Sequence, residues 1–118
     1  MRPRPARATI GTRFGGTRDR REDKRAALDL AGVDTAELHA PFSHQELILR
    51  RELGLAEDVT VNPSGGALCG NPMFAAGLIR IGEAASRISA GTSERAVAHA
   101  TSGPVLQQNL LCTLEGGR

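Results

Sequence analysis

Apolar residues recur at helical spacing late in the chain, where Phe74, Leu78, Ile81, Ala85 and Ile88 would fall on one face of a helix. Upstream of it the pattern is interrupted twice, by Ser64-Gly65-Gly66 and by Gly70-Asn71-Pro72, so a turn-rich segment feeds that helix. Asn71 is placed to cap it and Pro72 to occupy its first position, where a missing N–H costs nothing. Such an end would turn free N–H groups and the positive dipole end toward the Gly-rich loop, as an anion or oxyanion site requires.

The remaining pattern supplies the other elements. Residues 1–18, with RPRP and GTRFGG and little periodicity, read as loop, and 22–31 as a short helix ending at Gly32. Residues 36–40 form a short candidate strand that Pro41 stops. Ser43 then opens a helix, with Glu46 at capping-box spacing, running to Gly54. Leu47, Ile48 and Leu55 are expected to face a core while Arg50, Arg51 and Glu52 stay solvated. Val59 and Val61 mark a strand that leads into the Gly-rich turn. After the long helix, a turn over 91–94 precedes two strands, RAVAHA (95–100) and QQNLLCTL (107–114), expected to close as an antiparallel pair. Helix, strand, helix, strand, helix, strand, strand is an α/β order, and it predicts a mixed sheet layered with helices.

Composition changes this picture at one end. The chain has 118 residues, within single-domain range, and a net charge of +2. Residues 1–25 carry nine Arg/Lys against three Asp/Glu, whereas 26–118 carry six against ten. The expected division is therefore a basic, disordered extension over 1–25 and a folded domain over 26–118. With no Trp or Tyr and three Phe, stacking platforms for nucleic acid are missing, and no nucleic-acid partner is expected. Two cysteines, Cys69 and Cys112, make neither a zinc motif nor a disulfide framework. No apolar run reaches transmembrane length, so a soluble cytoplasmic chain without a membrane partner is expected.

NPSGGALCGNP followed by an Ala/Gly-rich helix resembles the C-terminal half of the thiolase superfamily, whose members read N-x-x-G-G-x, several small residues, then a G-H-P turn opening a helix. With G-N-P in place of G-H-P and HATSGP further on, it is most similar to the lipid-transfer branch related to sterol-carrier-type thiolases. The resemblance covers roughly residues 26–116. It implies a layered α/β lobe, here incomplete, and an acyl-CoA acyltransferase that forms or cleaves carbon–carbon bonds on thioesters. Coenzyme A would enter as substrate, and no separate cofactor or metal is implied. It also implies a homodimer or a missing N-terminal lobe, and in that branch a small OB-fold partner that binds acyl-CoA.

Three loops of such a lobe complete the family's site, and each has a counterpart here. His39, in His39-Ala40-Pro41-Phe42, matches the residue that holds a catalytic water or thioester oxygen; from the residues alone it is as well read as a packed histidine at a strand end. Asn71 stands where the family has the histidine of G-H-P. Its amide can donate to a carbonyl, but it cannot serve as a base. His99, in His99-Ala100-Thr101-Ser102-Gly103-Pro104, is the candidate proton carrier. Gly65, Gly66, Gly70, Ser102 and Gly103 are candidate substrate-binding positions through their N–H groups, although backbone torsion and a hairpin turn explain them equally well. His44 has no family counterpart and reads as solvated, Cys69 as a bystander and Cys112 as core. Because the family's nucleophilic cysteine belongs to another lobe, the chain alone is expected to lack turnover. The alternatives are a non-catalytic acyl-CoA or lipid-binding remnant, and a retro-aldolase-type subunit acting with the OB-fold partner. Apolar faces left uncovered should also make the isolated chain prone to association.

Overall fold

The computed structural model describes residues 6–14, 29–103 and 108–117, the first of these by backbone alone. Five strands form one mixed sheet in the order β1-β5-β4-β2-β3: β1 is Ala6–Phe14, β2 Thr35–Glu37, β3 Thr60–Val61, β4 Arg95–Ser102 and β5 Gln108–Gly116. β2 runs parallel to both β3 and β4, whereas β5 is antiparallel to β4 and to β1. Three helices complete the order: α1 (Ser43–Glu52), α2 (Gly66–Cys69) and α3 (Ala76–Ala90). The α/β class and the antiparallel closing pair agree with the sequence pattern.

Alternation along β4 divides the core into two faces, as a pleated strand must. Val97 packs with Ala36, Leu38, Val59 and Leu111 beneath Leu49 of α1 and Leu53, which caps its C-terminal end. Ala96 and Ala98 point the other way, against Ala84 and Ile88 of α3 with Cys112 and Leu114. The two helices therefore cover opposite faces, and the connections from β2 to β3 and from β3 to β4 cross on different sides. Asp34 fixes the lower end of this arrangement by accepting from the Ser93 hydroxyl and from the N–H groups of Glu94 (2.7 Å) and Arg95 (3.3 Å). Burial tends to raise its pKa, but these hydrogen bonds together with one from Thr35 outweigh burial and hold the carboxyl below its ordinary value.

Several expectations are corrected. Residues 6–14, expected as loop, form strand β1, whose register sets Ala8 opposite Leu114 and Ile10 opposite Cys112. ARATI, the first part of it, alternates small or apolar with polar residues, a period-two pattern that Gly11-Thr12 interrupts and the flanking RPRP and GG hide. The expected helix over 22–31 falls mostly outside the described residues, and 29–31 are not helical; Gln107 and Pro104 also lie outside them.

The long helix begins later than predicted. Ala75, not Asn71, precedes α3, and Pro72 lies in a turn closed by the Ala75 N–H on its carbonyl (2.8 Å). The Asn71 side-chain oxygen is engaged by His39 and caps nothing, so the expected dipole-based anion site at Asn71 and Pro72 is not formed. Phe74 and Leu78, expected in the core, are 103% and 73% exposed; the buried stripe runs instead through Ala76, Arg80, Ala84 and Ile88. Spacing of four residues continues through Arg80 because that charge has a buried partner.

On α1, Leu47 and Ile48 are exposed, and it is Leu49, with Leu53 at the C-cap, that reaches the core; Leu55 is partly buried as expected. The capping box is also shifted by one residue: the Phe42 N–H donates to Gln45 Oε1 (3.2 Å) and the Gln45 N–H to the Phe42 carbonyl (3.0 Å). Glu46 is thereby left for another partner.

Close approach near the site depends on two glycines. Gly66 is left-handed (φ 61°), and a Cβ there would lie 2.9 Å from the Asn62 side chain. Gly77, in the first turn of α3, faces Ala100 so closely that a Cβ would meet that of Ala100 at 2.6 Å. The start of α3 is thus pressed onto the end of β4.

Candidate functional site

Three segments meet outside the carboxyl ends of the parallel strands β2, β3 and β4, where open α/β sheets present their ligand sites. His39 follows β2 and is tied to β4 by its N–H on the His99 carbonyl (3.2 Å). Its Nδ1 accepts from the Thr101 N–H (3.3 Å), which requires a lone pair there; the ring proton then sits on Nε2, which lies 3.2 Å from Asn71 Oδ1. His39 therefore donates to Asn71 and orients its amide. With Oδ1 occupied, Nδ2 of this exposed residue is the end left to face a ligand carbonyl.

His99 lies on the α1 side of the sheet, 2% exposed. Its Nε2 is 2.9 Å from Asn109 Oδ1 across the β4–β5 pair, and its buried Nδ1 has no hydrogen-bond partner among the described residues. Burial lowers its pKa; the Asn109 bond raises it in part, and the charge His39 can carry lowers it further. His99 is consequently a neutral imidazole at pH 7, a form able to accept a proton.

His39 and His99 line one pocket of about 310 Å³ together with His44, Gln45, Ile48, Leu49, Thr101 and Asn109. His44 is exposed, as expected, but it lines this pocket and stacks its ring on Phe42 at 5.9 Å. Asn71 is reached through His39 and does not line the wall. Gly65, the N-cap of α2, and Gly66, its first residue, are both left-handed, Gly70 is extended, and Ser102 and Gly103 close β4 beside Thr101; none of these five lines the pocket. Cys69 is exposed, while Cys112 is buried, with its thiol pKa pushed up by that burial.

The supporting residues were not singled out from sequence. Asn62, itself left-handed (φ 48°), accepts from the Leu38 N–H (2.6 Å) and donates to Glu46 (2.7 Å), joining β2, β3 and α1. Glu37 is fully buried, with Arg80 Nη1 at 3.3 Å and the Ser64 hydroxyl at 2.7 Å. A carboxylate in the strand TAELHA and an arginine flanked by Ile79 and Ile81 are the sequence signals for such a pair. Among the described residues no cluster of His, Cys, Asp and Glu could hold a metal, and no helix is long and apolar enough to cross a membrane.

No protein-family model matches the chain. Curated proteins do. It is 46% identical over 56 residues to a beta-ketoadipyl-CoA thiolase of Acinetobacter baylyi, a match covering 46% of this chain and 14% of that protein. A protein of the same name from Pseudomonas knackmussii is 45% identical over 56 residues, with the same coverage of each chain. The 3-oxoadipyl-CoA/3-oxo-5,6-dehydrosuberyl-CoA thiolase of Escherichia coli is 44% identical over 60 residues, 49% of this chain and 15% of that one. The match thus spans about a seventh of the length of these relatives. Over that span the chain is similar to the C-terminal part of these thiolases, and its α/β architecture is compatible with a thiolase-like C-terminal lobe.

Proposed function

We propose that this chain supplies the carbonyl-polarising and proton-carrying side of a thiolase-like acyl-CoA acyltransferase, acting with a nucleophile from another lobe or polypeptide. The observation that carries this reading is His39 held between two neighbours. Thr101 fixes its Nδ1 as acceptor, and its Nε2 proton is directed to Asn71. The three loops that the family resemblance singles out therefore converge on one ring. In this scheme the Asn71 amide donates to the oxygen that becomes negative as a thiolate attacks the substrate carbonyl. Carbon–carbon cleavage releases an enolate that must gain a proton, and bond formation must remove one. His99, neutral and buried beside the pocket, is the group that accepts this proton in bond formation and that, once it has taken up a proton from the incoming thiol, gives it to the enolate in cleavage.

Asn71 in place of histidine favours a second reading. An amide polarises a carbonyl without moving a proton, which suits a non-catalytic acyl-CoA or lipid-binding subunit, or a retro-aldolase-type subunit with an OB-fold partner. Placement in the lipid-transfer branch rests on Gly70-Asn71-Pro72 and on the segment from His99 to Pro104, and lipid metabolism in the cytoplasm, a homodimer, and acyl-CoA as substrate belong to the same proposal. Thiolysis and aldol cleavage are to be measured with the full chain alone and mixed with an N-terminal thiolase lobe from the same genome. Activity appearing only in the mixture, and falling by about two orders of magnitude or more with His99→Ala, is the expected result. Acyl-CoA binding with no turnover in a demonstrably associated mixture would instead establish the binding role.

A further inference from the structure

We infer that Glu37 is a positioning residue whose carboxylate, through Ser64 and Arg80, closes both ends of the segment carrying Asn71 and so sets the His39–Asn71 contact; this rests on His39 and Asn71 being site residues. Glu37 stands two positions before His39 on the same stretch of backbone. Its Oε1 accepts the Ser64 N–H (3.1 Å), and its Oε2 accepts both the Ser64 hydroxyl (2.7 Å) and Arg80 Nη1 (3.3 Å). Ser64 lies just before the segment holding Asn71, and Arg80 lies in α3 just after it.

The two ends are also tied to each other, since Arg80 Nη1 donates to Ser64 Oγ (3.2 Å). That same oxygen accepts the Gly66 N–H (3.2 Å), at the start of α2. One buried carboxylate therefore ties Ser64, at the head of residues 65–79, to Arg80, which follows them in α3. Between those ties Asn71 is exposed, and His39 is the side-chain partner found for it. Its position against His39 follows from the closed ends. An ion pair with side chains 5% and 0% exposed is a costly way to gain stability alone, because desolvation offsets most of the Coulombic gain; fixing a geometry is the better-supported use of one.

The test reads the His39 ring in the full chain by imidazole 15N NMR, with the signal assigned by its absence from His39→Gln. Wild type is expected to show a single neutral tautomer with the proton on Nε2. Ser64→Ala removes the bridging hydroxyl but leaves the Glu37–Arg80 pair to hold the fold, and Arg80→Lys loosens the other end. Each is expected to move the two nitrogen shifts toward one another and to speed exchange of the Nε2 proton, with Ser64→Thr restoring the wild-type pattern. Ile88→Val, a distant core change that lowers the melting temperature, should leave the ring untouched. Unchanged His39 shifts in either Ser64→Ala or Arg80→Lys would overturn the inference, as would an equal change in Ile88→Val. Asn71→Ala separates the two levels. If it leaves His39 unaltered, the underlying contact is absent and both readings fall; if it alters the ring while Ser64→Ala does not, only the positioning role fails.

Discussion

At the scale of single residues, His99 couples the site to pH. Burial lowers its pKa below the ordinary 6.5, so between that depressed value and 6.5 the unfolded chain binds a proton that the native chain refuses. Its contribution to stability is fully present above pH 6.5 and is lost as pH falls through the folded-state value, at a slope of at most about 1.4 kcal/mol per pH unit. His99→Gln, which can still bond Asn109, should flatten that part of the stability curve. Chemical denaturation at several pH values checks this, and an unaltered slope would mean that another group is responsible. His39, whose charge also bears on His99, stays in place in that variant and provides the comparison. His39, Asn71 and His99 were singled out in the sequence through the loops that match the family resemblance, since from the residues alone His39 is as well read as a packed histidine. Glu37 and Arg80 were not, because a charge inside an apolar run looks the same whether it is solvated or buried against a partner far along the chain.

Among the elements, α3 is the one whose two glycines ought to respond oppositely to the same substitution. Alanine is favoured over glycine within a helix by about 1 kcal/mol. At Gly82 a Cβ meets nothing within 4 Å, so Gly82→Ala should gain about 0.5–1 kcal/mol. At Gly77 the new Cβ would stand 2.6 Å from Ala100 Cβ, an atom fixed on the strand with no rotamer to escape through. Overpacking of about 1–3 kcal/mol then exceeds the propensity gain, and Gly77→Ala should lower the melting temperature. The two melts side by side test whether α3 sits as close to β4 as described. Sequence periodicity located this helix and its Gly91 end, which adopts the left-handed φ of 74° that stops helices. It misplaced the beginning, since Asn71 and Pro72 satisfy every local rule for a helix start while the Asn71 oxygen is taken by His39. β1 was missed for a different reason: its alternation holds only as far as Ile10, its paired strand lies about a hundred residues away, and Pro and Gly punctuate both sides.

Across the whole molecule, apolar surface is distributed unevenly. Leu68, Met73, Phe74 and Leu78, all within eleven consecutive residues, are more than half exposed, and so are Phe42, Leu47 and Ile48 around α1. Four of the seven, Leu47, Ile48, Phe74 and Leu78, are residues that helical periodicity alone places on a buried face. Uncovered apolar side chains do not stabilise the native state, but they favour association of chains. Phe74→Ser with Leu78→Ser should therefore change folding stability by only about 0.5 kcal/mol, as surface substitutions do. The same pair should reduce light scattering and apolar-dye binding markedly. A large fall in the melting temperature would show that Phe74 and Leu78 are packed within the chain, and the exposed face would then be no part of its surface. Unchanged stability with reduced association would instead identify this face as the one through which the chain self-associates, beside the segment that presents Asn71.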